Sequence, residues 1–244
     1  MSEQWSPFSY IVTNLARFVR PNEITFSGVN STMPMLACLL AKKAYDWDFI
    51  YINVAGGVDP RPSHMPLSSS APALAEHTAS IFANEDFYDL CCRGRMDLTF
   101  LGAAQIDGEG CANNSCIGNW HQPKVRLPGG GGGAVMLPTA RRACTWRTEH
   151  SPRTFVEKLD FRTSWGGFHG VVTPIAVFIK RDGRLALESW HPESSLGEVR
   201  ERTGFQFDST GAAPTPLPSQ QERDALAALD PEKIFERDAN VRLR

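Results

Sequence analysis

A strand, a glycine turn, a helix and a second strand follow one another between Glu23 and Val54, and this order constrains the fold more than any other feature. Glu23-Ile24-Thr25-Phe26-Ser27-Gly28-Val29 is an extended apolar run ending at a glycine. Met33 to Tyr45 carries Met35, Leu36, Leu39 and Leu40 at helical spacing, and Asn30-Ser31-Thr32 stand where a helix start needs side-chain acceptors. Phe49 to Val54 is a second apolar strand, and Ala55-Gly56-Gly57 turns off its end. Strands alternating with helices bury both faces of a parallel sheet. The expected fold class is therefore α/β: an open, doubly wound, mostly parallel sheet with flanking helices. Ligands of such sheets bind outside the carboxyl ends of the strands. Gly28 fits a tight turn alone and equally a turn that also faces a ligand.

The remaining chain continues the pattern. Ser9 to Val19 has a helical period ended by Pro21, Asp59 to Pro72 is a Pro- and Ser-rich loop, and Phe82 to Cys92 is a helix. Met96 to Leu101 and the basic run Arg141 to Arg147 are strands, Ala134 to Leu137 starts a helix or a strand, and Phe155 to Phe161 is a further short element. Ile175–Ile179 and Leu185–Trp190 flank Asp182-Gly183, a hairpin turn, and Leu196 to Arg202 is a closing helix. One domain over 1–207 is expected, with 208–244 as a Pro- and charge-rich tail. Short helices at 224–229 and 232–237 would pack on a partner or stay free of the domain.

Composition excludes several classes. A net charge of −2 lacks the basic footprint of nucleic-acid binding. No apolar run reaches the roughly 18–20 residues of a membrane span, and the start of the chain lacks a basic and apolar leader. A cytoplasmic protein is expected. Cys38, Cys91, Cys92, Cys111, Cys116 and Cys144 form no C-x-x-C pair, and the histidines lack metal spacing, so neither disulfide nor metal is expected.

The chemistry concentrates in 93–133. Its strand stops at Gly102, a turn follows at Asp107-Gly108-Glu109-Gly110, and the polar run Asn113-Asn114-Ser115 leads to Gly118-Asn119-Trp120. Five successive glycines, Gly129 to Gly133, stand directly before an apolar run. Such a loop lets the main chain approach a ligand, and its N–H groups can line up on an oxyanion or phosphate. Gly130 and Gly131, with Arg126 just before the loop, are the catalytic candidates, and Gly129, Gly132 and Gly133 are binding candidates. Arg126 suits a substrate carboxylate or carbonyl, or a solvated surface; Lys124 offers the same choice. His121 reads as a packed or surface histidine before a general base. Trp120 reads as a core anchor before an aromatic wall. Asn113, Asn114 and Asn119 fit amide contacts to a ligand or caps of the local turns.

The ordered set Arg93-Gly94, Asp97, Thr99, Leu101-Gly102-Ala103, Gln105, Asp107, Gly110, Ala112-Asn113, Asn119-Trp120 and the glycine run resembles the β subunit of class I coenzyme A-transferases. The likeness is strongest over 93–133 and extends more weakly over 10–205. It implies a homologous α subunit, an α2β2 assembly with the active site between subunits, and an acyl-CoA substrate. It implies no tightly bound cofactor, coenzyme A being part of the substrate. It favours ligand contact for Asn113 and adds Gly56 and Gly57 as candidate contacts. The likeness fails at one point. Family members place a nucleophilic glutamate in a Glu-x-Gly turn where this chain has Ala55-Gly56-Gly57, and Asp59 is displaced and precedes Pro60. An alanine cannot attack a thioester. The branch that fits is the two-subunit hydrolase opening the last ring in bacterial steroid degradation, with a glutamate supplied by the α subunit. Arg126, the glycine loop and the Asn113–Trp120 segment would be this chain's share. The alternatives are a glutaconate-like dicarboxylate CoA-transferase β subunit and a catalytically silent subunit.

Overall fold

The computed structural model describes residues 5–241. The chain runs α1 (Pro7–Ala16), β1 (Ile24–Ser27), α2 (Thr32–Ala44), β2 (Ile50–Asn53), β3 (Gly57–Val58), β4 (Ser80–Ile81), α3 (Asn84–Cys92) and β5 (Leu98–Phe100). Two small hairpins follow, β6 (Gln105–Ile106) with β7 (Ala112–Asn113) and β8 (Cys116–Gly118) with β9 (Pro123–Arg126). Then come α4 (Gly133–Thr139), β10 (Arg142–Trp146), β11 (Gly170–Val172), β12 (Ala176–Arg181) and β13 (Arg184–Trp190). The chain closes with α5 (Leu196–Arg202), β14 (Ala213–Pro214), α6 (Gln220–Leu229) and α7 (Ile234–Asp238).

Among the described residues ten strands form one sheet, in the order β14-β13-β12-β11-β10-β5-β1-β2-β3-β4. The centre, β11-β10-β5-β1-β2, is wholly parallel, with Thr25 set between Tyr51 and Leu98. Antiparallel pairs lie towards the two edges. The predicted α/β class holds, with a mixed rather than purely parallel sheet. Both faces of the centre are covered. On one, α1 and α2 bury Ile11, Leu15, Leu36 and Leu40 against Tyr51 and Phe100. On the other, Phe87, Met136 and Leu137 pack with Phe26 and Phe178. The hairpin turn forms as expected, with Asp182 and Gly183 both at positive φ.

Three expectations change. Ser31 takes the cap position of α2 without capping it, because its hydroxyl donates to the Val29 carbonyl at 3.1 Å. The segment 155–161 forms neither helix nor strand beyond a single bridge from Phe155 to Ile106, since its main chain serves neighbouring loops: Val156 N–H donates to Ile106 and the Phe155 carbonyl accepts from Gly204. The helices of 208–244 pack on their own chain. Ala225, Leu226 and Phe235 belong to the same core as α1 and α2.

A buried network pins that end of the chain. Glu222, 3% exposed, accepts from Arg17 Nε at 2.8 Å and Nη2 at 2.9 Å, and from the Tyr45 hydroxyl at 2.6 Å. It also completes a capping box with Ser219. Burial opposes ionisation of Glu222, yet these hydrogen bonds outweigh it and hold the carboxyl below the usual range. A carboxyl whose pKa is lower folded than unfolded stabilises the fold above its unfolded pKa of about 4.3, and that contribution fades as pH falls through the folded value. Glu222→Gln is predicted to lower stability at neutral pH by about 2 kcal/mol in urea unfolding. Its stability should fall less steeply than wild type below about pH 4.3.

Candidate functional site

The strand order sets the position of the site. From β1 the chain first adds β2 on one side, then returns to add β5 and β10 on the other. Loops leaving β1 and β5 therefore diverge, and a crevice opens at the carboxyl ends of those strands. A cleft of about 440 Å³ lies there. Asn30 and Thr32 line it after β1, Gly102 after β5, and Arg147 and Thr148 after β10, while Phe235 and Asp238 of α7 close one wall.

Beside the cleft, the excursion from Gly102 to Gly133 folds back on itself through Asn114. The Asn114 amide oxygen accepts from Ala104 N–H at 2.7 Å and its nitrogen donates to the Gly102 carbonyl at 3.0 Å. Its own N–H donates to Thr163 Oγ1 at 2.8 Å, and its carbonyl accepts from Gly129 N–H at 2.7 Å. One residue thus joins the end of β5, the start of the glycine run and the Thr163 loop. Asn113 is fully buried, and its amide donates to Gln105 Oε1 and the Cys116 carbonyl while accepting from the Ser115 and Cys116 N–H groups. That corrects the expected ligand contact: with every polar atom satisfied inside the fold, Asn113 has none to offer.

Each glycine from 129 to 132 has a steric reason. Gly129 and Gly131 have φ of +99° and +48°. A Cβ on Gly130 would stand 2.8 Å from Thr163 Cγ2, and one on Gly132 2.6 Å from the Tyr88 hydroxyl. Gly133 donates to the Gly130 carbonyl and opens α4. Among the described residues, no acceptor takes the N–H of Gly130, Gly131 or Gly132. Three main-chain donors are left available to an anionic oxygen.

At the end of β2, Ala55 is half-buried with its methyl against the core. The Asn53 amide shapes this turn, accepting from Ala55 N–H and donating to the Gly57 and Leu74 carbonyls. Gly56 and Gly57 are buried and required by packing, since a Cβ on Gly57 would overlap the Leu74 carbonyl at 2.0 Å. Their place is in the turn's construction. Asp59 accepts from Tyr51 N–H at 2.8 Å and pairs with Lys42 at 2.9 Å, so it is committed elsewhere.

The second hairpin places the other candidates at the surface. Trp120 is 45% exposed, which corrects its reading as a core anchor. It stacks on Phe161 at 4.5 Å and carries the Arg126 guanidinium over its ring at 4.5 Å. Arg126 also donates to the Trp120 carbonyl. Asn119 accepts from His121 N–H at 2.8 Å in a local turn, and Asn119, His121 and Lys124 are exposed. Asp107, Glu109 and Cys111 bring three ligand atoms within 4.8 Å of one another. Arg162 already faces both carboxylates, at 3.7 and 3.4 Å, and supplies the positive charge a metal ion would bring. Burial also raises the pKa of the Cys111 thiol, which disfavours the thiolate a metal needs.

Sequence reasoning missed Arg147. Its position one residue past β10, at the carboxyl edge, was the available signal. Its Nη1 donates to the Ala103 carbonyl at 2.9 Å, while its Nε is buried without a partner. Burial lowers its pKa, against a weaker opposing influence of Glu149.

The coenzyme A transferase family model matches residues 9–180. This chain belongs to the coenzyme A transferase family. Its relatives include one of the subunits of 3-oxoadipate CoA-transferase from Pseudomonas knackmussii, 30% identical over 235 residues that cover 88% of this chain and 89% of that one. The cholesterol ring-cleaving hydrolase IpdB subunit of Mycobacterium bovis is 27% identical over 159 residues, 57% of this chain and 62% of that one. Among solved structures, the decarboxylase AibA/AibB matches with a TM-score of 0.89 at 28% identity, over 98% of this chain and 99% of that one. The family thus includes β-type subunits that work with a second subunit. Among the described residues, no helix is long and apolar enough to cross a membrane.

Asn114→Ala tests the clamp. Hydrogen exchange at Ala104 N–H should accelerate at least about tenfold, an opening about 1.4 kcal/mol easier, while the amides of β5 stay protected. Unchanged exchange at Ala104 would contradict the clamp.

Proposed function

We propose that this chain is the β subunit of a heteromeric, cytoplasmic α2β2 enzyme that acts on an acyl-CoA with no covalent step on this chain. The reaction proposed is hydrolytic C–C cleavage, the opening of a ring in a cyclic oxo-acyl-CoA of steroid catabolism. The observation that carries the reading is the turn after β2. Ala55 stands where the resemblance puts a nucleophilic glutamate, and the nearest carboxylate, Asp59, is held by Tyr51 N–H and Lys42.

In this reaction a glutamate of the partner subunit removes a proton from water. The water oxygen bonds to the ring ketone carbon, and collapse of the resulting oxyanion breaks the ring C–C bond. The electron pair moves onto a carbon flanked by the second carbonyl, as an enolate that is then protonated. A carboxylate forms at the attacked carbon. This chain's contribution is the set of unfilled N–H donors at Gly130, Gly131 and Gly132, fixed in place before reaction and therefore suited to a developing oxyanion. Arg126, held over Trp120, lies on the hairpin that leads into that loop and is proposed to hold the substrate's polar end.

The likeness to the decarboxylase AibA/AibB across nearly the whole chain favours a second reading. Decarboxylation also leaves an electron pair conjugated with a carbonyl, directly or through a double bond, whose oxyanion calls on the same donors. Product mass separates the two. The assembled enzyme, incubated with a cyclic β-dicarbonyl acyl-CoA and an acyl-CoA bearing a β-γ unsaturated or β-oxo acid, is predicted to yield from the first a CoA product one water heavier. A product lighter by one carbon dioxide from the second, with the first unchanged, would replace hydrolysis by decarboxylation.

A further inference from the structure

Tyr88 of α3 reaches the glycine loop with a hydroxyl that the fold does not use. A Cβ on Gly132 would stand 2.6 Å from that hydroxyl, which therefore lies no more than about 4 Å from the Gly132 Cα. Among the described residues it has no hydrogen-bond partner, and it is not one of the polar atoms sealed from solvent. The hydroxyls of Tyr45 and Tyr51, by contrast, are bonded to Glu222 at 2.6 Å and to Ser27 at 2.7 Å. A phenylalanine at 88 would keep the packing of the ring. The hydroxyl instead crowds out any side chain at 132 and gains no bond within the fold in return.

The ring is held in place. Tyr88 packs on Phe87 with ring centroids 4.2 Å apart, and Phe87 is buried and stacks on Phe26 of β1 at 4.6 Å. Phe87 shares one core with Met136 and Leu137 of α4, so the phenol and the glycine loop are carried by one packed layer. The loop's own groups divide into used acceptors and unused donors. The Gly130 carbonyl accepts from Gly133 N–H, and the Gly132 carbonyl accepts from Val135 and Met136 N–H. The N–H groups of Gly130, Gly131 and Gly132 have no acceptor. A tyrosine O–H is a further neutral donor beside them, and donors of these two kinds build oxyanion sites.

We infer that Tyr88 is a catalytic donor of this site, its O–H joining the glycine N–H groups on the substrate oxygen that becomes negative. The proton stays on the phenol oxygen, and the hydrogen bond strengthens as charge develops. A tetrahedral oxyanion and an enolate are held alike, so the role is common to hydrolysis and decarboxylation. The inference rests on the reading of the glycine loop as an oxyanion site.

A nitroalkane tests both and separates them. S-(3-nitropropyl)-coenzyme A ionises at carbon to a nitronate, whose oxygens carry charge as an enolate oxygen does. The two forms differ in ultraviolet absorbance, so their ratio is read at one pH, free and bound to the enzyme assembled with its partner subunit. Wild type should raise the nitronate-to-nitro ratio at least about tenfold over solution, and Tyr88→Phe should lose at least about fivefold of that. Affinity for uncharged S-propyl-coenzyme A should stay within about twofold, since the deleted oxygen bonds nothing in the fold. On whichever of the two test thioesters the wild type consumes, Tyr88→Phe should lower kcat about 10²-fold with KM within about twofold. Full nitronate enrichment in Tyr88→Phe, or an unchanged kcat, would overturn the inference and leave the oxyanion loop standing. Equal loss of both ligands would make Tyr88 a packing residue and overturn it as well. No enrichment in the wild type would overturn the oxyanion reading and this inference with it.

Discussion

Five strands running in one direction put every loop that can meet a ligand on one edge of the sheet. The turn at Gly28, the turn at Ala55, the clamp at Gly102 and the approach to Arg147 are all consequences of β1, β2, β5 and β10 ending there. Parallel strands need crossovers, and the helices that make them cover both faces, which is why the central strands are buried on each side. The reversal of strand order between β1 and β5 then separates two crossovers and leaves the crevice open. Removing that register would take away the site along with the fold.

Asn114 converts this edge into a shaped surface. The chain leaves β5, makes two short hairpins and returns, and a single amide closes the circuit to the glycine run. Short strands of two to four residues carry little stability of their own. Their arrangement relies on such side-chain bonds, and on the buried Asn113 that bridges Gln105 and Cys116. The glycines are then explained by their neighbours, Thr163 and Tyr88, as much as by what they would bind.

Much of the frame is legible in the sequence because it is periodic. The helix at Thr32–Ala44 and the strands on either side follow from apolar spacing, and Asp182-Gly183 forces its hairpin. The misread positions depend on contacts that spacing does not encode. Asn113 and Asn114 are adjacent amides with opposite fates, one sealed in a hairpin base and one bridging loops, and only the fold of the excursion separates them. Trp120 reads as core because large aromatics are usually buried, yet it packs with Phe161 and Arg126 at the surface. The last two helices have a small apolar face, and Glu222 finds Arg17 at the far end of the chain. Arg147 is hidden at the end of a basic run, where only its place beyond the strand marks it.

The chemistry turns on one residue type at one turn. A methyl at Ala55, with Asp59 engaged by Lys42, leaves this chain no nucleophile at the end of β2, while the free N–H groups of the glycine loop remain suited to an oxyanion. Intact-mass analysis of both subunits, after the assembled enzyme turns over its acyl-CoA in the presence of borohydride, tests this most directly. The account predicts both chains at their unmodified masses while product accumulates. A trapped acyl or reduced glutamyl derivative on either chain would contradict it and return the protein to the transferases.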